Sequence, residues 1–185
     1  MSTPAFVVCG PTAVGKDTLI RRMRGLEPRI WLSISATTRD PRPGEVDGVD
    51  YYFVTQSRFD ELIASGDMLE WAVVHGVHRY GTPRQPVTEA LDRGDIALLE
   101  VDLAGARQVR QSMPEATQIF IAPPAFEDLA RRLAARGTEG PEERQRRLET
   151  AKVELAAADE FDHVVVNDDV ARATDELLSI IRSMG

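Results

Sequence analysis

Residues 6–19 read FVVCGPTAVGKDTL, and this stretch decides the fold. Its apolar start predicts a buried strand, and the apolar residues after Lys16 recur at helical spacing. Between the two elements lies a loop bounded by Gly10 and Gly15. Glycines let a backbone wrap around phosphate with its N–H groups pointing at the oxygens, and a helix that begins near Lys16 adds the positive end of its dipole. The pattern Gly-x4-Gly-Lys therefore predicts a P-loop, with Lys16 supplying charge to the terminal phosphates of a nucleotide.

One position departs from the usual P-loop pattern. The residue after the lysine is normally Ser or Thr, whose hydroxyl binds Mg²⁺, but here it is Asp17, and Thr18 follows. A carboxylate is also a good hard-oxygen ligand, although it adds negative charge beside the phosphates. Asp17 and Thr18 are the predicted metal site. We expect Asp17 to contact Mg²⁺ through water and Thr18 to be the nearer phosphate ligand.

Composition limits the classes of function. The 185 residues include 43% hydrophobic and 28% charged side chains, which are values of one globular domain. A net charge of −8 argues against nucleic acid or a membrane surface as a partner, because both need a basic face. The single cysteine, Cys9, excludes an internal disulfide and favours a reducing, cytoplasmic location. No apolar run approaches the roughly 18 residues of a membrane span, and no basic segment of a signal peptide precedes the first strand.

The rest of the chain alternates between strand and helix patterns, which predicts an α/β fold with a parallel sheet. Predicted strands cover 30–34, 68–75, 96–101, 117–122 and 163–166. Predicted helices cover 58–64, 87–93, 103–111, 126–135, 142–158 and the C-terminal segment. The strand at 96–101 leads into Asp102 and places Glu100 and Asp102 at its carboxyl end, where open α/β sheets bind ligands.

Two groups of arginines are candidates for anion binding, because Arg contacts phosphate in a bidentate manner. Arg39 and Arg42 lie three residues apart in an otherwise acidic, Pro- and Gly-rich stretch. A solvated loop with exposed charges explains their spacing equally well. Six more arginines lie between 131 and 147, some beside a glycine hinge, which suits a mobile flap that closes on phosphate. They are Arg131, Arg132, Arg136, Arg144, Arg146 and Arg147.

Taken together, these segments resemble the bacterial guanylate kinase family, a group of P-loop nucleoside monophosphate kinases. The motifs that carry the resemblance are GPTAVGK from Gly10, SATTR from Ser35, PRPGE from Pro41, DY from Asp50, LEW from Leu69, YGT from Tyr80, EVDLAGA from Glu100 and RGTE from Arg136. They occur in one colinear order across nearly the whole chain. The resemblance implies a P-loop kinase fold as a single domain, 1–185. Its expected parts are a parallel-sheet core with helices on both faces (1–34, 83–136 and 156–185), a GMP-binding insertion (35–82) and a lid (137–155).

The resemblance also implies transfer of a phosphoryl group from ATP to GMP, giving ADP and GDP, with Mg²⁺ bound alongside ATP, in a monomer or a homodimer. The residues implied for ATP are Gly10, Pro11, Thr12, Ala13, Val14, Gly15, Lys16, Asp17, Thr18, Arg132 and Asn167. The residues implied for GMP are Ser35, Arg39, Arg42, Glu45, Tyr51, Glu70, Tyr80, Thr82, Glu100 and Asp102, with Glu100 near the metal and the phosphates. The implied catalytic residues are Lys16, Arg136 and Arg147.

The residues implied for reading guanine, Glu70, Thr82 and Asp102, also make chemical sense. Guanine presents N1–H and an exocyclic amine, two donors that suit carboxylates, whereas adenine has an acceptor at N1 that a carboxylate would repel. Two alternatives remain. A non-catalytic guanylate kinase-like binding module would lose the functional P-loop. Asp17 after the lysine resembles the P-loop of ribose 1,5-bisphosphate phosphokinase. A kinase of that kind would not need the guanine-reading residues.

Overall fold

The computed structural model describes residues 5–74, 76–136 and 140–184, with only the backbone of Arg136. Its strands are β1 (Ala5–Cys9), β2 (Ile30–Leu32), β3 (Ala36–Thr37), β4 (Tyr52–Phe53), β5 (Met68–Val74), β6 (His78–Pro83), β7 (Ile96–Glu100), β8 (Thr117–Ala122) and β9 (His163–Val166). Its helices are α1 (Lys16–Leu26), α2 (Gln56–Ala64), α3 (Arg84–Asp92), α4 (Leu103–Ser112), α5 (Phe126–Arg136), α6 (Pro141–Ala156) and α7 (Val170–Met184), with a short 3₁₀ turn at Ala158–Glu160. The predicted α/β class is confirmed.

The main sheet has five parallel strands in the order β2-β7-β1-β8-β9. Strand β1 is central and apolar at every position because both of its faces are covered. Phe6 and Val8 face a core that α1, α5 and α7 close, whereas Val7 and Cys9 face the core beneath α3 and α4. Burial raises the pKa of the Cys9 thiol to about 12, as expected for a small apolar core residue.

A second sheet of four strands, in the order β4-β3-β6-β5, stands beside the core. Strands β3 and β4 are parallel, and the β3–β6 and β5–β6 pairs are antiparallel. Helix α2 covers this sheet with the fully buried ring of Phe59. Strands β3, β4 and β6 were not predicted from the sequence, because β3 and β4 have only two residues each and β6 reads HRYGTP, which has no apolar alternation.

Several element bounds differ from those predicted, each for a local reason. Helix α2 begins two residues early because the Thr55 hydroxyl accepts a hydrogen bond from the Arg58 N–H and caps the helix. Helix α3 begins before Pro86, since a proline in the first turn costs no intrahelical hydrogen bond. Helix α6 has Pro141 in its first turn and ends at Ala156 rather than 158. In the part of the chain that is described, no helix combines the length and apolar character needed to cross a bilayer.

Candidate active site

The loop between β1 and α1 requires its two glycines. Gly10 has φ 156°, and a Cβ there would lie 2.4 Å from the carbonyl oxygen of Ile121. Gly15 has φ 102°, and a Cβ there would lie 2.6 Å from the Asn167 side-chain nitrogen. Both positions therefore combine a backbone conformation that disfavours side chains with a lack of space. The buried Val14 side chain anchors the loop to the core between them.

Two residues far from this loop in the chain, Asn167 and Arg132, donate hydrogen bonds to its backbone. We call them the loop brace. The Val14 carbonyl accepts hydrogen bonds from Asn167 Nδ2 at 2.8 Å and Arg132 Nη1 at 3.0 Å. In a trans peptide the C=O and the following N–H point in opposite directions. The brace therefore directs the Gly15 N–H away from the core. Asn167 is 3% exposed, and its Oδ1 has no hydrogen-bond partner among the described residues.

Lys16 lies where two adjoining hollows meet. Its Nζ donates a hydrogen bond to the Gly10 carbonyl at 2.6 Å. One hollow of about 200 Å³ is lined by Thr12, Ala13, Gly15, Lys16, Asp17 and Thr18. The other, of about 280 Å³, is lined by Gly10, Thr12, Lys16, Glu100, Val101, Asp102 and Glu154. Seven of the residues predicted for ATP therefore line one cleft together with Glu100, at the end of β7, and Asp102, and Lys16 lines both of its parts.

Two carboxylates beside Lys16 have raised pKa values. Burial raises the pKa of Glu100, the Lys16 charge opposes this, and Asp17 adds to it through its charge and a hydrogen bond. Asp17 and Glu100 are therefore close neighbours. Burial likewise raises the pKa of Glu154, again opposed by Lys16 and reinforced by Asp102. The cleft thus concentrates negative charge around a single lysine.

Glu154 is a cleft residue that the sequence analysis missed. It lies on α6, where Ala151 is buried and Leu148 and Leu155 pack against the core. The available signal was its position three residues after Ala151, which places an acid on the core-facing side of a helix. A carboxylate on that side needs polar surroundings, and the cleft that Glu154 shares with Lys16 provides them.

Beside the second sheet, three of the residues predicted for GMP contact Arg39, namely Glu45, Tyr51 and Tyr80. Arg39 Nη1 and Nη2 donate to the two Glu45 carboxylate oxygens at 3.0 and 2.9 Å, and its Nε donates to the Tyr80 hydroxyl at 3.2 Å. The guanidinium also lies 5.4 Å from the centre of the Tyr51 ring, which meets the Tyr80 ring edge-on. Glu45 also accepts the Arg42 N–H at 2.7 Å, while the exposed Arg42 side chain extends from the adjoining loop.

The Ser35 carbonyl in this region accepts a hydrogen bond from the Tyr52 N–H at 2.9 Å, which joins β3 to β4.

Glu45 holds the Arg39 guanidinium in a bidentate ion pair, and this contact lowers the pKa of Glu45. Arg39 is therefore oriented by Glu45, Tyr80 and Tyr51 together. With Glu45, Tyr80 and the Asp40 carbonyl as partners, four of the five guanidinium N–H groups are engaged, so a phosphate would take the remaining Nη2–H or displace Glu45.

The residues predicted to read guanine lie where the second sheet meets α4. Thr82, on β6, donates its hydroxyl to Glu70 Oε1 at 2.7 Å, and Asp102 Oδ1 accepts the Gly105 N–H at 2.7 Å as the N-cap of α4. Glu70 Oε2 and Asp102 Oδ1 lie 3.1 and 3.2 Å from the point where a Gly105 Cβ would stand. Burial raises the pKa of Glu70, and the Asp102 charge raises it further. We call Glu70 and Asp102 the carboxylate pair.

The structure separates the arginines between 131 and 147 into different environments. Arg131 and Arg146 are exposed and paired with Asp128 and Glu143. Arg132 belongs to the loop brace. The remaining predicted lid arginine with a described side chain, Arg147, donates to Glu143 at 3.2 Å, whereas the Arg136 side chain and residues 137–139 lie outside the described part. Arg144 is half-buried, and its Nε has no hydrogen-bond partner among the described residues.

A glycine-bounded loop that leaves the central strand of a parallel sheet, with its lysine lining both hollows of one cleft, defines a P-loop nucleotide-binding protein. Comparison with known sequences narrows this class. The family model described as guanylate kinase matches residues 2–184. The chain belongs to the guanylate kinase family, which confirms the resemblance drawn from its motifs.

Individual relatives agree with this assignment. The guanylate kinase of Leifsonia xyli subsp. xyli is 61% identical over 175 residues, which cover 95% of this chain and 69% of the relative. The guanylate kinase of Nocardia farcinica is 57% identical over 178 residues, or 96% of this chain and 92% of the relative. Among solved structures, the crystal structure of guanylate kinase from Anaplasma phagocytophilum matches with a TM-score of 0.71 and 33% identity, covering 99% of this chain and 87% of that one.

Proposed function

We propose that this chain transfers the terminal phosphoryl group of ATP to GMP, giving ADP and GDP. The observation that carries this proposal is the position of Asp102. Asp102 belongs to the carboxylate pair, which suits guanine, and it lines the same hollow as Lys16. A base held by the carboxylate pair therefore belongs to a nucleotide whose phosphate is near the P-loop.

The reaction needs no covalent intermediate, because the GMP phosphate is itself an anionic nucleophile. The loop N–H groups, the start of α1 and Lys16 hold the ATP phosphates. Arg39, Arg42, Tyr51, Tyr80 and Ser35 hold the acceptor phosphate. Catalysis consists of bringing the two phosphates into line and neutralising the charge on the transferring group.

Mg²⁺ fits the acids beside the P-loop. Asp17 and Glu100 are neighbouring hard-oxygen donors whose mutual repulsion a cation would relieve. Among the described residues, no group of three or more Asp, Glu, His or Cys side chains is placed to hold a metal by itself. This agrees with Mg²⁺, which takes one or two carboxylates and completes its shell with water and substrate phosphates. When bound, the ion would neutralise charge on the ATP phosphates.

Residues 137–155 act in this proposal as a lid that brings Arg147 and Arg136 to the transferring phosphoryl group. The second sheet with α2, within 35–82, acts as the GMP-binding insertion. The lid is limited at its base, since Ala151 is buried in the core. Closure therefore involves the N-terminal part of α6, ahead of Ala151.

A coupled assay of ADP formation with GMP, AMP or ribose 1,5-bisphosphate as acceptor tests the function. We expect turnover with GMP, little with AMP and none with the sugar bisphosphate. Lys16→Ala should remove most of the GMP activity, because the charge of Lys16 is used on the phosphates. Preferential use of the sugar bisphosphate would instead identify the alternative kinase, and binding of GMP without turnover would identify a binding module.

A further inference from the structure

A side-chain amide joins the core to the edge of the second sheet. Gln108, on α4, accepts the Trp71 N–H at 3.0 Å through its Oε1 and donates to the Trp71 carbonyl at 3.0 Å through its Nε2. Strand β5 is at the end of the sheet order, so one side of its backbone has no neighbouring strand. The Gln108 amide supplies there the donor and acceptor that another strand would have supplied.

Each end of the Gln108–Trp71 contact is close to one member of the carboxylate pair. Trp71 directly follows Glu70 on β5. Asp102, Gly105 and Gln108 are spaced three residues apart, so they follow one face of α4. The helix that carries one member of the pair therefore holds the residue next to the other member.

We infer that Gln108 is a positioning residue for guanine recognition, holding Glu70 at a fixed separation from Asp102 by clamping the Trp71 backbone to α4. The inference rests on the proposed function. Two carboxylates in one pocket repel each other, so their separation needs an external constraint. The Thr82 hydroxyl orients the Glu70 side chain, and Ser112 Oγ donates to the Leu69 carbonyl at 2.6 Å. Among the described residues, only the Gln108 amide binds both backbone groups of Trp71 through a side chain.

The substrate feature that depends on this separation is the pair of adjacent guanine donors, N1–H and the 2-amino group. IMP keeps N1–H and lacks the 2-amino group, so it makes less use of two correctly spaced acceptors. Loss of the clamp should therefore reduce the preference for GMP over IMP in addition to weakening GMP binding. A merely structural contact would not change this preference.

The test compares Gln108→Met, which keeps the side-chain volume, and Gln108→Ala with the wild type. Gln111→Ala is the matched control, since Gln111 is an exposed glutamine on the same helix. We expect the KM for GMP to rise about tenfold in both Gln108 variants, the size expected for the loss of two half-buried hydrogen bonds. The KM for ATP should stay within about twofold, and the GMP/IMP ratio of kcat/KM should fall about threefold or more. The control should match the wild type in all three.

Several outcomes would overturn the inference. They are an unchanged KM for GMP in Gln108→Met, an equal rise in the KM for ATP, or an unchanged GMP/IMP ratio. Failure of both Gln108 variants to fold would also contradict it, because it assigns Gln108 to orientation rather than to overall stability. Wild-type protein without GMP kinase activity would contradict the proposed function instead, so the two failures are distinguishable.

Discussion

Asp17 is the residue at which this chain departs from the usual P-loop, and its surroundings explain how a carboxylate is accommodated. It lies in the first turn of α1, where a negative charge interacts favourably with the helix dipole. It also neighbours Glu100, so it belongs to a pair of acids rather than standing alone beside the phosphates. This arrangement favours a shared cation over direct contact with ATP.

Replacing Asp17 tests the proposed metal site. Asp17→Ser should keep substantial activity but require a different Mg²⁺ concentration for its maximum, because one of two acidic ligands is exchanged for a neutral hydroxyl. Thr18→Ala should raise the KM for ATP. The measurement is a Mg²⁺ titration of initial rates, with Asp175→Ser, an exposed acid on α7, as control. An unchanged metal dependence in Asp17→Ser would remove Asp17 from the site.

Glu70 makes recognition depend on pH and reduces stability. Its pKa in the folded protein is raised by burial and by Asp102, so between the ordinary and the raised pKa the folded state binds more protons than the unfolded state. The free energy of unfolding therefore falls as the pH rises through this interval, and the penalty is fully present above it. GMP binding instead requires the ionised form of Glu70, since only the ionised carboxylate offers guanine two acceptors.

Glu70→Gln should separate these two effects. At pH 7 the variant should melt about 2–4 °C higher, the shift that about 1 kcal/mol produces in a chain of this size. This gain should vanish below the ordinary pKa of glutamate. The KM for GMP should rise at the same time, and the GMP/AMP preference should fall. Thermal unfolding across a pH series measures the first effect, with the exposed Glu115→Gln as control. A lower melting temperature at pH 7 would show that the carboxylate stabilises the fold.

At the scale of elements, the backbone of the P-loop is held by hydrogen bonds from residues far away in the chain. Asn167 follows β9 and Arg132 belongs to α5, and both donate to the same Val14 carbonyl. Because the peptide is planar, fixing this carbonyl also fixes the direction of the Gly15 N–H. Two distant segments of the core therefore set the direction of one N–H group that we propose binds phosphate.

Asn167→Ala should raise the KM for ATP several-fold while leaving the KM for GMP within about twofold. The loss of a buried hydrogen bond should also cost about 1–3 kcal/mol of stability. Gln118→Ala is a matched control, since Gln118 is a buried amide that donates to the Ala106 carbonyl at 2.8 Å, away from the P-loop. The control should lose similar stability without a change in either KM. Equal changes in the KM for ATP in both variants would mean that stability alone is being measured.

At the scale of the whole molecule, the two sheets differ in how they are held. The parallel sheet is covered on both faces, and its central strand is buried throughout. The second sheet has a small core of its own, and its strands β3 and β4 have two residues each. Regions with few buried apolar side chains open at lower free energy than a core. The second sheet should therefore be the first to open, apart from β5, which α4 holds.

Amide hydrogen exchange tests this difference. In the free protein, β1, β7 and β8 should exchange most slowly and residues 35–54 faster. Saturating GMP should slow exchange in 35–54 by linkage, since the ligand binds the closed form. A matched experiment with Arg39→Ala should show less protection at the same GMP concentration. Equal protection of 35–54 in both proteins would exclude Arg39 as a phosphate contact.

The sequence by itself determined the P-loop, the central strand and the buried faces of α1 and α7, because each is encoded in local spacing and in residues with special backbone freedom. Leu19, Ile20 and Met23 are buried as their spacing predicts, as are Leu177, Leu178 and Ile181. The family's motifs also imply the GMP residues, and this assignment stays a prediction. In the structure Thr82 donates to Glu70 and Arg39 donates to Tyr80, so each hydrogen bond joins two residues that the resemblance implies for GMP.

Only the tertiary structure decided which side chains support those residues. The loop brace joins Val14 to Asn167 across most of the chain, Glu154 enters the cleft from α6, and Gln108 clamps Trp71 from another element. Strands β3 and β4 likewise exist only because distant partners pair with them. The physical reason is that periodicity reports which face of an element is buried, whereas a hydrogen bond between elements depends on how they pack. That packing is set by all of the elements together and leaves no pattern in either segment alone.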